Sequence, residues 1–230
     1  MLGAVTHFDG LNLVHLDTHL LVADKPAGLL CVPGRGPDKA DCLAARLAAR
    51  WPDVQVVHRL DMATSGLVVF GRSAVMQRQL SIAFAQRRVH KVYQAVVAGL
   101  LRDDAGEIDL PLAPDWPNRP RQQVDRANGK PSLTRCQVII RDPQAGTTRL
   151  RLAPVTGRSH QLRVHLAAIG HPILGDALYA PPAQAAAAPR LLLHACELGF
   201  EPITLAVAGA GTARASSGGG PWQFNSPVPF

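Results

Sequence analysis

Only 5% of the 230 residues are aromatic, too few to line a stacking surface for a long single strand. Cysteine is equally sparse: Cys31, Cys42, Cys136 and Cys196 lie far apart and include no CxxC pair. That spacing argues against a disulfide framework and a zinc site, and for a reducing compartment. The first twenty residues hold Asp9, Asp17 and three histidines but no lysine or arginine, so no secretory n-region is expected. No apolar run approaches the ~18 residues of a membrane-spanning helix. HExxH is missing, and His160 and His165 are five apart rather than the four that face one metal from a helix. There is no glycine-rich phosphate loop and no βαβ rhythm. These absences lead us to expect a cytoplasmic protein that uses neither metal nor cofactor.

What is present is ordinary for a globular chain, with 47% apolar and 18% charged residues. Basic residues outnumber acidic ones, 24 against 17, a formal charge of +7. Such an excess suits a polyanionic partner, because cations bound to phosphates release condensed counterions.

Residues 11–24 (LNLVHLDTHLLVAD) read as two short strands broken by Lys25-Pro26-Ala27-Gly28. Asp41 is placed to cap a helix over CLAARLAAR, with Leu43 and Leu47 inward and Trp51-Pro52 at its end. Val54–Val57 reads as a strand, 58–66 as a loop and Leu67–Phe70 as a second strand. Ser73 opens a helix to about Arg87, with Met76, Leu80, Ala83 and Phe84 inward. Val92–Val97 is β-type, and Thr134–Ile140 with Thr147–Leu152 forms a hairpin. Residues 111–132 make a Pro-rich, basic excursion of a kind that usually binds something. Ser159 is placed to cap a helix carrying Leu162, Leu166 and Ile169, closed by Gly170. AAAAP and the stretch Ala206–Gly220 read as low-complexity surface loops. The class is α+β with a mainly antiparallel sheet.

One stretch poses a chemical question. VVHRLDMATSG places Asp61 where a strand leaves the core, ahead of small residues Ala63, Ser65 and Gly66. The bland account is a turn-making aspartate that accepts backbone N–H bonds. The functional account is a carboxylate nucleophile or base in a loop that lets a substrate approach closely, and it needs a cationic partner. Arg59 leaves the same face of an extended chain. Arg163 lies in VTGRSHQLRVHL, where Arg158, His160, Gln161, Arg163 and His165 crowd into eight residues. A solvated basic helix face is the competing account of that cluster. Tyr93 in HKVYQAVVAG is either a packing residue or a base-stacking one. Glu107 and Asp109 in GEIDL read as a surface turn.

Together, VHRLDMATSGLVVF, HKVYQAVVAG and TGRSHQLRVHLAAIGHPILGDALY resemble the RluA-type pseudouridine synthases, in family order and at family-like spacing. LLVADKPAGLLCVPG, DWPNRPRQQVD and LLLHACELGF are similar as well, so the likeness covers nearly the whole chain. It implies a pseudouridine synthase fold: a mainly antiparallel mixed sheet flanked by helices, with a central RNA-binding cleft. It implies that Asp61 is the catalytic aspartate, Tyr93 the tyrosine that stacks on the target base, and Arg163 the arginine that ion-pairs with the aspartate. Arg59 matches the arginine that enters the RNA stack where the uridine has flipped out. Leu60, Thr64, Ser65 and Gly66 would shape that loop, and Arg158, His160, Gln161 and Arg119 would contact RNA. Because the first strand-and-turn motif begins near residue 20, we expect a single catalytic domain over 1–230 without an N-terminal S4 domain. The short form and DWPNRP are similar to the subgroup acting on both rRNA and tRNA. The expected partner is structured RNA and the expected state a monomer. Two departures are the Ala206–Gly220 insertion and Glu201-Pro202, where relatives have His-Pro. Two rivals are a non-catalytic RNA-binding or assembly factor on the same fold, and an N-glycosidase releasing free base.

Overall fold

Alternation at the front of the chain is realised as an antiparallel ladder. The computed structural model describes residues 6–8, 10–207, 211–215 and 220–230. Two compact units emerge, one of residues 1–91 with 195–227 and one of 92–194 with 228–230.

In the first unit, β1 (Thr6–Phe8), β2 (Leu11–Leu16) and β3 (Leu20–Lys25) form an antiparallel meander. Leu11 and Leu13 face inward from β2 at the two-residue period of a half-buried strand, whereas β3 is apolar and buried on both faces. Against β3 lies β5 (Ser65–Gly71), buried along its whole length. The short β4 (Gln55–Val56) pairs with the end of β5 through Gln55↔Gly71 and Val56↔Phe70. Only two exposed residues of the expected strand Val54–Val57 take part, while Ser65 and Gly66, expected in the loop, are strand.

Helix α1 (Leu43–Arg50) buries Leu43 and Leu47 as its spacing requires, but Asp41 is not its cap. Cys42 is, with its Sγ accepting the Ala45 N–H at 3.3 Å. Asp41 is instead engaged by Arg46, both guanidinium contacts being 2.7 Å long. Helix α2 (Ala74–Ala85) starts at the expected cap, Ser73 Oγ accepting from Met76 N at 3.1 Å. Its Met76, Leu80 and Ala83 join Leu20, Val22, Leu67 and Val69 in the core, with Phe84 packed at the margin.

From Val89 begins β6 (Val89–Ala98), and the chain returns to the first unit at Ala195 within β12 (Leu193–Phe200), which lies beside β5. β15 (Trp222–Asn225) pairs antiparallel with β12. The expected loop Ala206–Gly220 overlaps a pair of antiparallel strands, β13 (Ile203–Val207) and β14 (Gly211–Ala215). Residues 208–210 and 216–219 of that expectation lie outside the described residues.

In the second unit β6, β11 (Thr147–Pro154), β10 (Leu133–Asp142) and β7 (Ala105–Asp109) lie side by side in that order, all antiparallel. Glu107 and Asp109 belong to β7 rather than to a turn, and Glu107 pairs with Arg135 at 2.9 Å. The basic excursion folds over β8 (Leu112–Pro114) and β9 (Gln122–Val124), a small antiparallel hairpin. Helix α3 (Gln161–Ala168) is entered through His160, not capped by Ser159, and Gly170 closes it with φ +84°. Leu162 and Leu166 are buried, but Ile169 is turned outward. Part of AAAAP is helical in α4 (Pro182–Ala186). Among the described residues no helix is long and apolar enough to cross a membrane.

Candidate active site

The loop that carries Asp61 begins where β4 leaves the sheet. Continuing the register past Val56↔Phe70 would bring Val57 opposite Val69, but Val57 turns to the core instead. The Val69 N–H is then satisfied by a side chain: His58 Nε2 accepts it at 3.0 Å. An imidazole thus replaces a strand, which releases the backbone of 59–64 from pairing without stranding a buried donor. The ring also stacks on Phe84, centroids 4.5 Å apart. Although the residue as a whole is half-buried, its ring is closely enclosed; burial first, and the Lys91 charge second, push its pKa down to about 3. His58 stays neutral, with its proton on Nδ1.

Beyond it Arg59 is exposed, Leu60 is buried and Asp61 is half-buried. The Thr64 N–H donates to the Asp61 carbonyl at 3.1 Å, so Asp61-Met62-Ala63-Thr64 is a closed turn. Met62, its exposed tip, has its carbonyl held from below by Gly28 N at 2.9 Å and Lys25 Nζ at 3.0 Å. Lys25 is completely buried, and its ammonium also donates to Pro26 O and Leu29 O, both at 2.8 Å. Three carbonyls therefore replace its lost hydration. The consequence is mechanical: one cation clamps the KPAG turn to the DMAT turn. At Gly66, φ is +116° and a Cβ would run into the Ala195 backbone, so this small residue serves strand packing. Thr64 and Ser65 are buried too.

In the second unit, the basic cluster around α3 is internal rather than a solvated face. Arg163 is 4% exposed, Gln161 equally so, and His165 fully buried. Asp176 binds Arg163 at both ends of the guanidinium, Nε at 2.8 Å and Nη2 at 2.6 Å. Asp176 also accepts the N–H groups of Leu178 (2.9 Å) and Tyr179 (3.2 Å), and the Tyr179 ring lies 5.0 Å from the Arg163 guanidinium carbon. The Tyr179 hydroxyl accepts the Gln122 N–H at 2.8 Å and shares a 2.6 Å hydrogen bond with His160 Nδ1. His160 holds a left-handed backbone, φ 54°, uncommon for a non-glycine residue.

Gln161 braces the turn before α3. Its Oε1 accepts from Thr156 Oγ1 (2.7 Å) and Arg158 N (3.0 Å), and its Nε2 donates to Leu133 O and Thr134 Oγ1, both 3.0 Å. His165 Nε2 donates to Leu110 O at 3.0 Å, and burial holds its pKa below the ordinary value. Arg158 is exposed, its guanidinium 3.4 Å from Pro131 O. Tyr93 is half-buried on β6, opposite Leu152 of β11. Arg119 lies at the tip of the β8–β9 hairpin, over the Trp116 ring.

The first unit thus brings Arg59, Leu60, Asp61 and Thr64 onto one braced turn, and the second gathers Arg158, His160, Gln161 and Arg163 around the start of α3. Four neighbours escaped the reading of motifs: Lys25, His58, Asp176 and Tyr179. A lysine ending the apolar run LLVADK, and a lone acid after ILG, were the available signals.

Comparison with known proteins now bears on this geometry. A family profile described as RNA pseudouridylate synthase matches residues 19–168, which takes in the Asp61 loop, Tyr93 and the whole of α3. The chain belongs to that family. The Pasteurella multocida protein named dual-specificity RNA pseudouridine synthase RluA is 51% identical over 84% of this chain and 89% of its own length. Proteins of the same name from Vibrio cholerae (51%, over 83% of this chain and 77% of theirs) and Escherichia coli (48%, over 80% and 84%) are similar. Among solved structures, human RNA pseudouridylate synthase domain containing 1 has a TM-score of 0.70 at 24% identity, covering 95% of this chain and 91% of that one. It shows the fold: the pseudouridylate synthase domain, built of mostly antiparallel strands flanked by a few helices.

Proposed function

We propose that this protein isomerises uridine to pseudouridine in structured RNA, with Asp61 as the catalytic carboxylate. The observation that carries the reading is the setting of Asp61 in a family member: a half-buried acid on a turn that is closed at Thr64 and clamped from beneath by Lys25. A turn-making aspartate needs no such bracing. The reaction breaks C1′–N1, turns the base and joins C1′ to C5; N1 gains a proton and the C5 proton leaves to solvent. It requires no redox change and no group donor. The base has to leave its stack to be turned, at an unstacking cost of a few kcal/mol. A carboxylate serves such glycosyl chemistry as nucleophile or base.

In this reading Tyr93 stacks on the flipped base, Arg163 is the cationic partner of the catalytic carboxylate, and Arg59 fills the space the base has left. Leu60 and Thr64 hold the turn, and Gln161 holds the segment that presents Arg158 and His160. Arg119 meets the phosphates. The dual-specificity name of the relatives fits rRNA and tRNA as substrates, and we read the targets as uridines in a large-subunit rRNA hairpin loop, a tRNA anticodon stem-loop, or both. One profile match, over residues 19–168, takes in parts of both units, which supports one catalytic domain. We read the enzyme as a cytoplasmic monomer needing neither metal nor cofactor, sedimenting as one chain and active in the presence of a chelator.

The test uses RNA tritiated at uridine C5, offered as tRNA and as an rRNA hairpin separately. Tritium passes to water with wild type and not with Asp61→Asn, which still binds RNA. Equal loss of binding and release in Asp61→Asn would make Asp61 structural, and free uracil among the products would make the protein a glycosidase. The +7 charge gives an affinity that falls steeply with salt.

A further inference from the structure

Resting on that reading, we propose that Trp116 is a stacking platform for a single unpaired base of the RNA, with the Arg119 guanidinium as the layer behind it. Trp116 is 63% exposed, the highest value among the large hydrophobic side chains of the described residues, whereas Trp222 is 2% exposed. A tryptophan left in water is out of place unless something covers it in use, which is why this residue concentrates at interfaces. One face of the indole is already occupied: the Arg119 guanidinium carbon lies 3.4 Å from the ring centroid. With the guanidinium against one side, the 63% exposure leaves ring surface for a flat partner.

The tip that presents it is built before any partner arrives. Asp115 N donates to Arg121 O at 3.0 Å, Asn118 N to Asp115 O at 3.1 Å and Arg121 N to Asn118 O at 3.0 Å. The Asn118 side-chain amide lies 3.1 and 3.0 Å from the two Asp115 carboxylate oxygens. A rigid aromatic loses little freedom on binding. Below the tip, Gln122 N donates to the Tyr179 hydroxyl and the Arg121 guanidinium carbon sits 5.4 Å from the Tyr179 ring. The same tyrosine lies beside Arg163, so the platform is tied to the residues that hold that arginine.

Charge identifies the occupant. Between Pro111 and Ser132 the chain carries Arg119, Arg121, Arg126 and Lys130. Its two acids are engaged locally, Asp115 by the Asn118 amide and Asp125 by the N–H groups of Ala127 (3.0 Å) and Asn128 (2.9 Å), so the basic residues outnumber them four to two. An aromatic face in a positive field suits a nucleobase with its phosphates. Paired bases are buried in their own stack, so the base in question is an unpaired one.

The experiment titrates the intact protein at fixed salt with a hairpin RNA bearing an unpaired loop and, separately, with a fully paired duplex. Tryptophan emission and Kd are read for wild type, Trp116→Phe and Trp116→Ala. The loop RNA quenches wild type, and the quench is lost in Trp116→Phe. Trp116→Ala loses about 5- to 150-fold in affinity for the loop RNA, the equivalent of one base–aromatic stack, and keeps its affinity for duplex. Unchanged loop affinity in Trp116→Ala, or equal loss for loop and duplex, overturns the proposal. Should Trp116→Ala fail to fold, an unquenched wild type saturated with loop RNA overturns it. Tritium release separates the two claims: release by wild type with an unaltered KM in Trp116→Ala removes the platform alone. No release by wild type from any RNA removes the reading beneath it.

Discussion

Asp176 holds Arg163 by both guanidinium nitrogens that face it, at 2.8 and 2.6 Å, and both side chains are shut away from solvent. A bidentate pair of this kind fixes the plane of the guanidinium as well as its position. Removing Asp176 takes a bidentate carboxylate away from a buried charge, so Asp176→Ala should cost about 3–5 kcal/mol of stability. Urea denaturation checks it, and an unchanged midpoint would count against the bracing role. Asp176→Asn, which keeps the shape but not the charge, should lower kcat more than it raises KM.

Lys25 should behave as a clamp and not as a surface lysine. Its three carbonyl acceptors belong to Pro26, Leu29 and Met62, and only the last lies on the Asp61 turn. Lys25→Met fills the same channel but takes the ammonium donor from Pro26 O and Leu29 O and leaves Met62 O to Gly28 N alone, at about 1–3 kcal/mol for each group left unsatisfied. The turn should then loosen, and limited proteolysis should cut near exposed Met62. Wild-type protease resistance in Lys25→Met would remove the clamp from the account.

His58 sets a pH dependence whose sign follows from its folded pKa of about 3 against an ordinary value near 6.5. The unfolded chain takes up the proton first. His58 therefore contributes its full stability above pH ~6.5 and loses it as pH falls toward 3, by up to about 1.4 kcal/mol per unit. His58→Phe should flatten that part of the stability–pH curve relative to wild type. It should also be less stable at pH 8, because the Val69 N–H loses its acceptor. Parallel curves for the two proteins would show that His58 is not the titrating group.

Gly66→Ala should fold poorly or not at all. A methyl group there meets the carbonyl and amide of Ala195, and φ of +116° is itself unfavourable for alanine. Strain and overpacking together amount to roughly 2–6 kcal/mol. Thermal unfolding measures it, and a midpoint equal to wild type would mean that β12 yields easily.

Local chemistry was legible in the residues themselves. Apolar alternation located β2, β3 and the β10–β11 hairpin, Ser73 announced α2, and Gly170 announced the end of α3. The likeness of HRLDMATSG and GRSHQLRVHL to a known family pointed to Asp61 and Arg163. Those signals rest on energies contained within a few neighbouring residues: a side-chain period, a cap, a left-handed glycine. Tertiary structure decided the rest. It gave the α1 cap to Cys42 and paired Asp41 with Arg46 instead. It cut β4 to two residues because His58 could serve Val69 from a distance. It buried Lys25 against a carbonyl 37 positions away, and Arg163 against an acid 13 positions away. A buried polar group is stable only with the partner that folding brings to it, and that partner is not written next to it in the chain.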